Sequence, residues 1–236
     1  IKNLKCKPYD MTFGCPGWVE SLILAHQFIQ AKIAKKILVI GSDTLSRAVD
    51  PHDRSAMIFA DGAGAVVLEA KEDDHQYGII NHATLSYNGD EMSYLVNGAS
   101  LNPDYVGSVK NINMKGRKVY EFVLKNVPPA IKELLDESNL TIHDIDKVLL
   151  HQANAKMDHA MIERLYKLYG THAPENIDPM TVQFLGNTSV ATVPTMFSLI
   201  NENKLASHQF HANDKILMAS VGASMNINAV IYQFDK

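Results

Sequence analysis

The stretch YDMTFGCPGW, residues 9–18, joins an alternating segment, predicted to be a strand, to a predicted helix, and Cys15 lies at the junction. Pro16 suits the first helical turn, where no backbone N–H is needed, so Cys15 is expected near the helix N-cap. There the helix dipole and free N–H groups favour a thiolate and can stabilise an oxyanion. A free cysteine is as often a small buried apolar residue. This stretch alone therefore leaves a nucleophile and a core residue as equal alternatives.

Composition restricts the class of protein. The 236 residues can bury a large core, and a hydrophobic fraction of 46% with 20% charged residues is typical of a soluble globular protein. The net charge of −4 gives no electrostatic reason to bind nucleic acid, and no apolar run approaches the ~20 residues of a membrane span. With two cysteines and no signal-peptide pattern, the sequence is not that of a disulfide scaffold. We expect a cytoplasmic protein that binds neither nucleic acid nor membranes.

The histidines and glycines do not match known ligand motifs. Ten histidines occur, but no cluster has the spacing of a metal site, so no metal is predicted. The glycines of residues 61–64 lack the dinucleotide fingerprint and the P-loop lysine. A tight turn into a strand is the better interpretation there.

The first third of the chain reads as a helix followed by two strands. An amphipathic helix is predicted over residues 19–35, and the all-apolar residues 37–40 indicate a strand buried on both faces. A second strand is predicted over residues 65–69. The charged residues 71–76 form the best domain boundary in this half, so the predicted division is 1–76, a connecting region of strands, loops and helix over 77–143, and 144–236.

The last third repeats this order. A strand over residues 146–150 ends at His151, helices follow over about 154–169 and 190–203, and strands are predicted at 214–219 and 226–234. The weak duplication favours two similar α/β layers packed together. In the connecting region, a helix over 118–138 should be interrupted near Pro128 and Pro129, because prolines break a regular helix.

Three candidate residues lie at boundaries of these elements. Cys15 and His151 stand at predicted strand ends that feed helices, where groups of open α/β layers converge on a ligand crevice. Asn187 lies in the segment Gly186-Asn187-Thr188-Ser189, which alone would be an ordinary turn and helix cap. Together the three residues favour a catalytic site.

The chain resembles the β-ketoacyl-acyl carrier protein synthase III branch of the thiolase superfamily. The resemblance is carried by the Cys15 junction, by His151-Gln152-Ala153-Asn154-Ala155-Lys156 and by Gly186-Asn187-Thr188-Ser189, with further matches around Asp53-Arg54 and Asp61-Gly62. It implies a thiolase-like layered αβαβα fold of two similar halves. Family chains are longer before the nucleophile, so the first half is expected to be incomplete at its N-terminus.

The resemblance also implies a reaction. Cys15 would take an acyl group from an acyl-CoA primer, and His151 and Asn187 would assist the decarboxylative condensation with malonyl-acyl carrier protein, giving a 3-oxoacyl product. The backbone N–H groups of Cys15 and Ala223 would form the oxyanion hole. No permanently bound cofactor is implied.

Peripheral contacts follow from the same resemblance. Arg54, Gly116 and Asn154 would bind CoA or its pantetheine arm, and Gln152 and Lys156 would dock the carrier protein, in a homodimeric enzyme. Solvent-exposed or helix-capping roles are equally good interpretations for Arg54, Asn154 and Lys156. Two alternative functions remain: an acyltransferase of this family that works without decarboxylation, and a non-catalytic acyl-binding partner subunit on the same scaffold.

Overall fold

A computed structural model describes residues 5–71, 77–105 and 111–235 of the chain. The helices and strands follow in this order: α1 (Gly17–Gln30), β1 (Lys36–Asp43), β2 (Gly62–Glu69), β3 (Gly78–Ser86), β4 (Leu95–Gly98), β5 (Asn111–Met114), α2 (Gly116–Glu137), β6 (Lys147–Leu150), α3 (Ala155–Lys167), α4 (Val182–Leu185), α5 (Thr192–Asn201), β7 (Lys215–Gly222) and β8 (Asn226–Gln233). Short 3₁₀ turns occupy several connections. The predicted charged boundary at 71–76 lies almost entirely outside the described residues.

The elements stack in layers. Helices α1 and α5 lie between the β1–β2 sheet and a four-stranded sheet, and they share one apolar core with both. Helices α2 and α3 cover the opposite face of the four-stranded sheet and form the second core with it. This arrangement places the start of α1 in the middle of the molecule, against strands of the second half.

The four-stranded sheet has the order β3-β8-β7-β6. Strands β6 and β7 are parallel, whereas β7–β8 and β8–β3 are antiparallel. A parallel pair needs a long crossover, which here contains α3, α4 and α5. Because β3 belongs to this sheet and α2 covers it, much of the range predicted as a connecting region packs with the C-terminal half.

The β1–β2 pair is covered on one face only. Its strands are antiparallel, and the residues facing α1 and α5 alternate with exposed ones. Leu38, Ile40 and Val67 share the outer face and are 42%, 59% and 63% exposed. The prediction of a strand buried on both faces is therefore wrong, because no helix among the described residues packs on this outer side.

The segment before Cys15 is not a strand. Residues 6–13 have no regular structure and are mostly exposed. An extended segment becomes a strand only when a neighbouring strand shares its hydrogen bonds, and no such neighbour exists within the described residues. The alternation of residue types could not reveal this.

Helix α2 runs without a break through Pro128 and Pro129, contrary to the predicted interruption. Its apolar stripe packs on the sheet before and after the prolines, with Val123, Val127, Ile131 and Leu135 fully or nearly fully buried. Burial of this continuous stripe offsets the backbone hydrogen bonds that two prolines remove. Helix α1, by contrast, ends five residues before its predicted end, where Lys32 adopts a positive φ of 58°.

Candidate active site

Cys15 lies immediately before α1, where the chain turns into the helix. The N-cap residue is Pro16, and the N–H of Gly17 donates to the carbonyl of Gly14 at 2.9 Å to close the turn. The thiol is thus at the positive end of the helix dipole, as the sequence predicted. It is partly buried and is a free cysteine.

His151 follows β6 directly. Its backbone N–H donates to the carbonyl of Ala219 on β7 at 2.8 Å, so the sheet itself fixes the start of the loop. The residue is 3% exposed. The end of β6 therefore delivers an imidazole to the centre of the molecule.

Cys15 and His151 interact. Burial alone would raise the pKa of the Cys15 thiol, but the positive charge and hydrogen-bonding capacity of His151, helped by the Ser189 hydroxyl, outweigh burial and lower that pKa. Burial alone would lower the pKa of His151, but the Cys15 thiolate outweighs it and raises that pKa. Both directions favour a thiolate–imidazolium pair, which is the reactive form of a nucleophilic cysteine.

The loop that carries Asn187 closes on the same thiol. The Asn187 N–H donates to the Ile58 carbonyl at 2.8 Å, and the Asn187 carbonyl accepts from the Ala60 N–H at 2.8 Å. Its side-chain Oδ1 accepts from the Ser189 N–H at 2.9 Å, which leaves the NH₂ group as the available donor. The Ser189 hydroxyl in turn lies 3.5 Å from the Cys15 sulfur.

The turn after β7 packs on Cys15. A Cβ added to Gly222 would lie 2.8 Å from the Cys15 Cβ and 2.7 Å from the Pro16 Cδ, so this close approach needs glycine. A Cβ on Gly14 would lie 3.5 Å from the backbone nitrogen of Ala223. The backbones of Cys15 and Ala223 are thus neighbours, as a shared oxyanion hole requires.

The predicted peripheral residues are exposed, except for Gln152. The exposed ones are Arg54, Gly116, Asn154 and Lys156. The Asn154 side chain caps α3 by accepting from the Met157 N–H at 3.0 Å.

Gln152 is 1% exposed, which corrects its predicted carrier-docking role. Its Oε1 accepts from the N–H groups of Thr181 and Val182 at 2.8 and 3.0 Å, and its Nε2 donates to the Pro179 carbonyl at 2.6 Å. Gln152 fixes a loop and offers no surface to a partner.

Two site residues were not singled out by the sequence analysis. Ser189, whose hydroxyl touches the thiol, is part of the segment with Asn187 but has no motif of its own. Asp158 is 1% exposed on α3, and its carboxylate, when ionised, raises the pKa of His151. A signal for Asp158 was present: it shares the helical stripe of Met161, Ile162 and Leu165, where a carboxyl is out of place.

Metal and membrane features add little. Within the described ranges, no group of three or more His, Cys, Asp or Glu side chains is arranged to hold a metal ion. None of the helices there is both long enough and apolar enough to span a bilayer.

Two family models match the chain: 3-oxoacyl-[acyl-carrier-protein] synthase III over residues 9–89 and the C-terminal domain of the same synthase over residues 135–234. The β-ketoacyl-[acyl-carrier-protein] synthase III of Trichormus variabilis is 33% identical over 98% of this chain and 69% of the relative. That of Microcystis aeruginosa is 35% identical over 96% of this chain and 67% of the relative. The chain thus spans about two thirds of the length of these relatives.

Solved structures give the same result. The 3-oxoacyl-[acyl-carrier-protein] synthase III of Aquifex aeolicus superposes with a TM-score of 0.83 at 30% identity, over 98% of this chain and 68% of that one. The Thermus thermophilus enzyme gives 0.80 at 30% identity, over 96% of this chain and 67% of that one. The architecture is the layered thiolase-like fold that the resemblance predicted, and it defines an acyltransferase scaffold. The chain belongs to the β-ketoacyl-acyl carrier protein synthase III family of condensing enzymes.

Proposed function

We propose that Cys15 is the acylated nucleophile of this condensing enzyme and that His151 and Asn187 assist the condensation. The observation that supports this most is the coupling of Cys15 with His151, which lowers the pKa of the thiol despite its burial. A non-catalytic acyl-binding subunit has no need for such coupling, so the structure weighs against that alternative.

In the first half-reaction, the Cys15 thiolate attacks the thioester carbon of an acyl-CoA primer. The carbonyl oxygen becomes an oxyanion that the N–H groups of Cys15 and Ala223 stabilise. The bond between the carbonyl carbon and the CoA sulfur then breaks, and the CoA thiolate leaves with a proton from the His151 imidazolium. The acyl group stays on Cys15 as a thioester.

In the second half-reaction, malonyl-acyl carrier protein loses carbon dioxide. The electron pair of the broken C–C bond passes into an enolate, whose oxygen takes hydrogen bonds from His151 and from the Asn187 NH₂ group. The enolate carbon attacks the acyl-Cys15 carbonyl, and the C–S bond breaks. This step releases the 3-oxoacyl carrier protein and restores the Cys15 thiolate.

The exposed residues Arg54, Gly116 and Asn154 are proposed to bind the CoA or pantetheine portion. Exposed Lys156 is proposed to dock the acidic acyl carrier protein through its charge. The expected result for Lys156→Ala is a higher KM for malonyl-acyl carrier protein with unchanged acylation by acyl-CoA. An unchanged KM would refute the docking role.

The enzyme is proposed to act as a cytoplasmic homodimer. Both Cys6 and Cys15 are free, and a nucleophilic thiol needs a reducing compartment. Light scattering of the purified protein tests the dimer, and a monomer at all accessible concentrations would refute it.

Intact-mass spectrometry after incubation with a panel of acyl-CoAs tests the nucleophile. We expect an acyl adduct on the wild-type protein and on Cys6→Ala, which removes the other free and exposed cysteine. We expect none on Cys15→Ala. If no primer gives an adduct, or if Cys15→Ala still forms one, the proposal is wrong.

Adding malonyl-acyl carrier protein to the acylated enzyme separates condensation from simple acyl transfer. Condensation releases carbon dioxide and a 3-oxoacyl product, whereas the alternative acyltransferase passes the acyl group on without decarboxylation. His151→Ala and Asn187→Ala should retain the Cys15 adduct, at a lower rate for His151→Ala, and lose decarboxylation.

A further inference from the structure

Ser189 places a hydroxyl group against the Cys15 sulfur. Its Oγ lies 3.5 Å from the Sγ and donates an O–H···S hydrogen bond, the one bond that this hydroxyl makes within the described residues. Ser189 is 3% exposed, so bulk water does not compete for the hydroxyl. Most side-chain hydrogen bonds in proteins go to backbone groups or to water. A buried hydroxyl that is given to a single reactive sulfur therefore points to a function.

The backbone of Ser189 is held in an unusual conformation. Its φ is 53°, in the left-handed region that residues other than glycine rarely adopt. Asn139 and Asn213 also have positive φ but are exposed, whereas Ser189 is buried. In this conformation the Ser189 N–H donates to the Asn187 Oδ1 at 2.9 Å while its hydroxyl contacts Cys15. Strain of this kind persists where the surrounding structure imposes it, and it is common at active sites.

The donors that can serve the sulfur differ between the two half-reactions. Cys15 is the nucleophile in the first half-reaction and the leaving group in the second. In the proposed mechanism, His151 gives its proton to the departing CoA and then donates to the enolate oxygen, together with Asn187. Both side chains are thus engaged elsewhere when the thiolate leaves the acyl-enzyme. Ser189 is the side-chain donor that the described residues still place at the sulfur.

We propose that the Ser189 hydroxyl is a catalytic group that donates a hydrogen bond to the Cys15 thiolate and stabilises it as the leaving group of the acyl-enzyme. This role rests on the proposed function of Cys15. When the C–S bond of acyl-Cys15 breaks, its electron pair passes to the sulfur, and the hydroxyl keeps its proton. A thiolate accepts a much stronger hydrogen bond than an uncharged thioester sulfur. Ser189 therefore stabilises the free enzyme relative to the acyl-enzyme.

The first test needs no substrate. It measures the pH dependence of iodoacetamide alkylation in Ser189→Ala and in the protein with Ser189, both carrying Cys6→Ala. Loss of a donor to the charged form raises the pKa of the thiol, so the alkylation midpoint should rise by roughly one pH unit. Thr188→Val is the matched control, because it removes a neighbouring buried hydroxyl that lies 3.2 Å from the Thr192 hydroxyl instead of at the sulfur. Its midpoint should not move.

The second test measures the equilibrium of acyl exchange between CoA and Cys15. Intact-mass spectrometry gives the ratio of acylated to free protein in known mixtures of acetyl-CoA and CoA, followed by the longer acyl-CoAs if acetyl-CoA gives no adduct. Above the alkylation midpoints of both proteins, Ser189→Ala should hold roughly tenfold more acyl-enzyme relative to free enzyme. A mere displacement of catalytic groups would slow acylation and its reversal alike, and it would leave this equilibrium unchanged.

Ser189→Gly removes the same hydroxyl and suits the positive φ, so it replaces Ser189→Ala if that variant does not fold. Equal alkylation midpoints with and without the hydroxyl, an equal shift in Thr188→Val, or an unchanged exchange equilibrium would overturn the role of Ser189. If the midpoint shifts but no acyl-CoA acylates the wild type, the proposed function of Cys15 is wrong while its hydrogen bond with Ser189 stands. If the adduct forms but the midpoints coincide, only the role of Ser189 is wrong.

Discussion

Replacing Gly222 by alanine should slow acylation strongly while leaving the protein folded. The new methyl carbon would lie 2.7 Å from the Pro16 Cδ and 2.8 Å from the Cys15 Cβ. Ordinary contact begins at 3.4 Å, so the backbone on one side must move by about 0.7 Å. The atoms in the way belong to the Pro16 ring and to the Cβ of Cys15, not to the end of a flexible side chain. Either the thiol or the Ala223 N–H is therefore displaced.

The size of the effect follows from what is displaced. Overpacking of this kind costs about 1–3 kcal/mol in stability. Loss of one oxyanion-hole donor lowers a rate by about 10²–10³-fold. We therefore expect Gly222→Ala to unfold at a somewhat lower temperature and to acylate about a hundredfold more slowly at saturating acyl-CoA.

Quenched-flow acylation followed by intact-mass spectrometry measures this rate, with thermal unfolding in parallel. Gly116→Ala is the control, because a Cβ there meets nothing within 4 Å. An acylation rate for Gly222→Ala within about threefold of the wild type would refute the claim that the Gly222 turn fixes the oxyanion hole.

Three further outcomes are expected. His151→Asn removes the main effects that oppose the burial of Cys15, so the pKa of the thiol rises and iodoacetamide alkylation at neutral pH should slow by at least about tenfold, with Cys6 unaffected. An unchanged rate would contradict the coupling. Gln152→Ala strands the buried N–H of Thr181 and should lower the free energy of unfolding by about 1–3 kcal/mol without changing the KM for carrier protein, as urea unfolding and steady-state kinetics can test. The folded-state pKa of Asp158 is raised to about 8, so between about pH 4 and 8 this carboxyl binds a proton in the folded protein but not in the unfolded one, and its stabilising contribution is lost as the pH rises through that range. In urea unfolding, the free energy of unfolding of the wild type should therefore fall by up to about 1.4 kcal/mol per pH unit relative to that of Asp158→Asn. Parallel curves of the two proteins against pH would contradict the shift.

The regular elements were largely predictable because their signals are local. Strands β6, β7 and β8 are apolar runs bounded by turn residues, and helix α3 begins directly after an asparagine that caps it. All four begin within a residue of the predicted positions, and β7 ends three residues later than predicted. The position of Cys15 before a helix also follows from neighbours in the sequence, since proline and glycine restrict the chain there.

Other features depended on which elements pack together. Residues 9–13 alternate like a strand but have no partner strand in the described residues, and α2 passes through two prolines because the sheet holds its apolar stripe. Strand β1 reads as fully buried but is covered on one face only. In each case the local pattern was real, but the tertiary structure decides whether another element packs against it.

The sequence by itself determined the types of the groups proposed to react: a cysteine before a helix, a histidine after a strand and an asparagine in a turn. Only the tertiary structure decided what acts on them. Ser189 reaches Cys15 across 174 positions, Gly222 packs against the backbone and Cβ of Cys15, and the carboxylate of Asp158 acts on His151 through its charge. Burial and the charges of neighbours set the pKa of each group. Those neighbours are chosen by the fold, so no pattern along the chain could supply them.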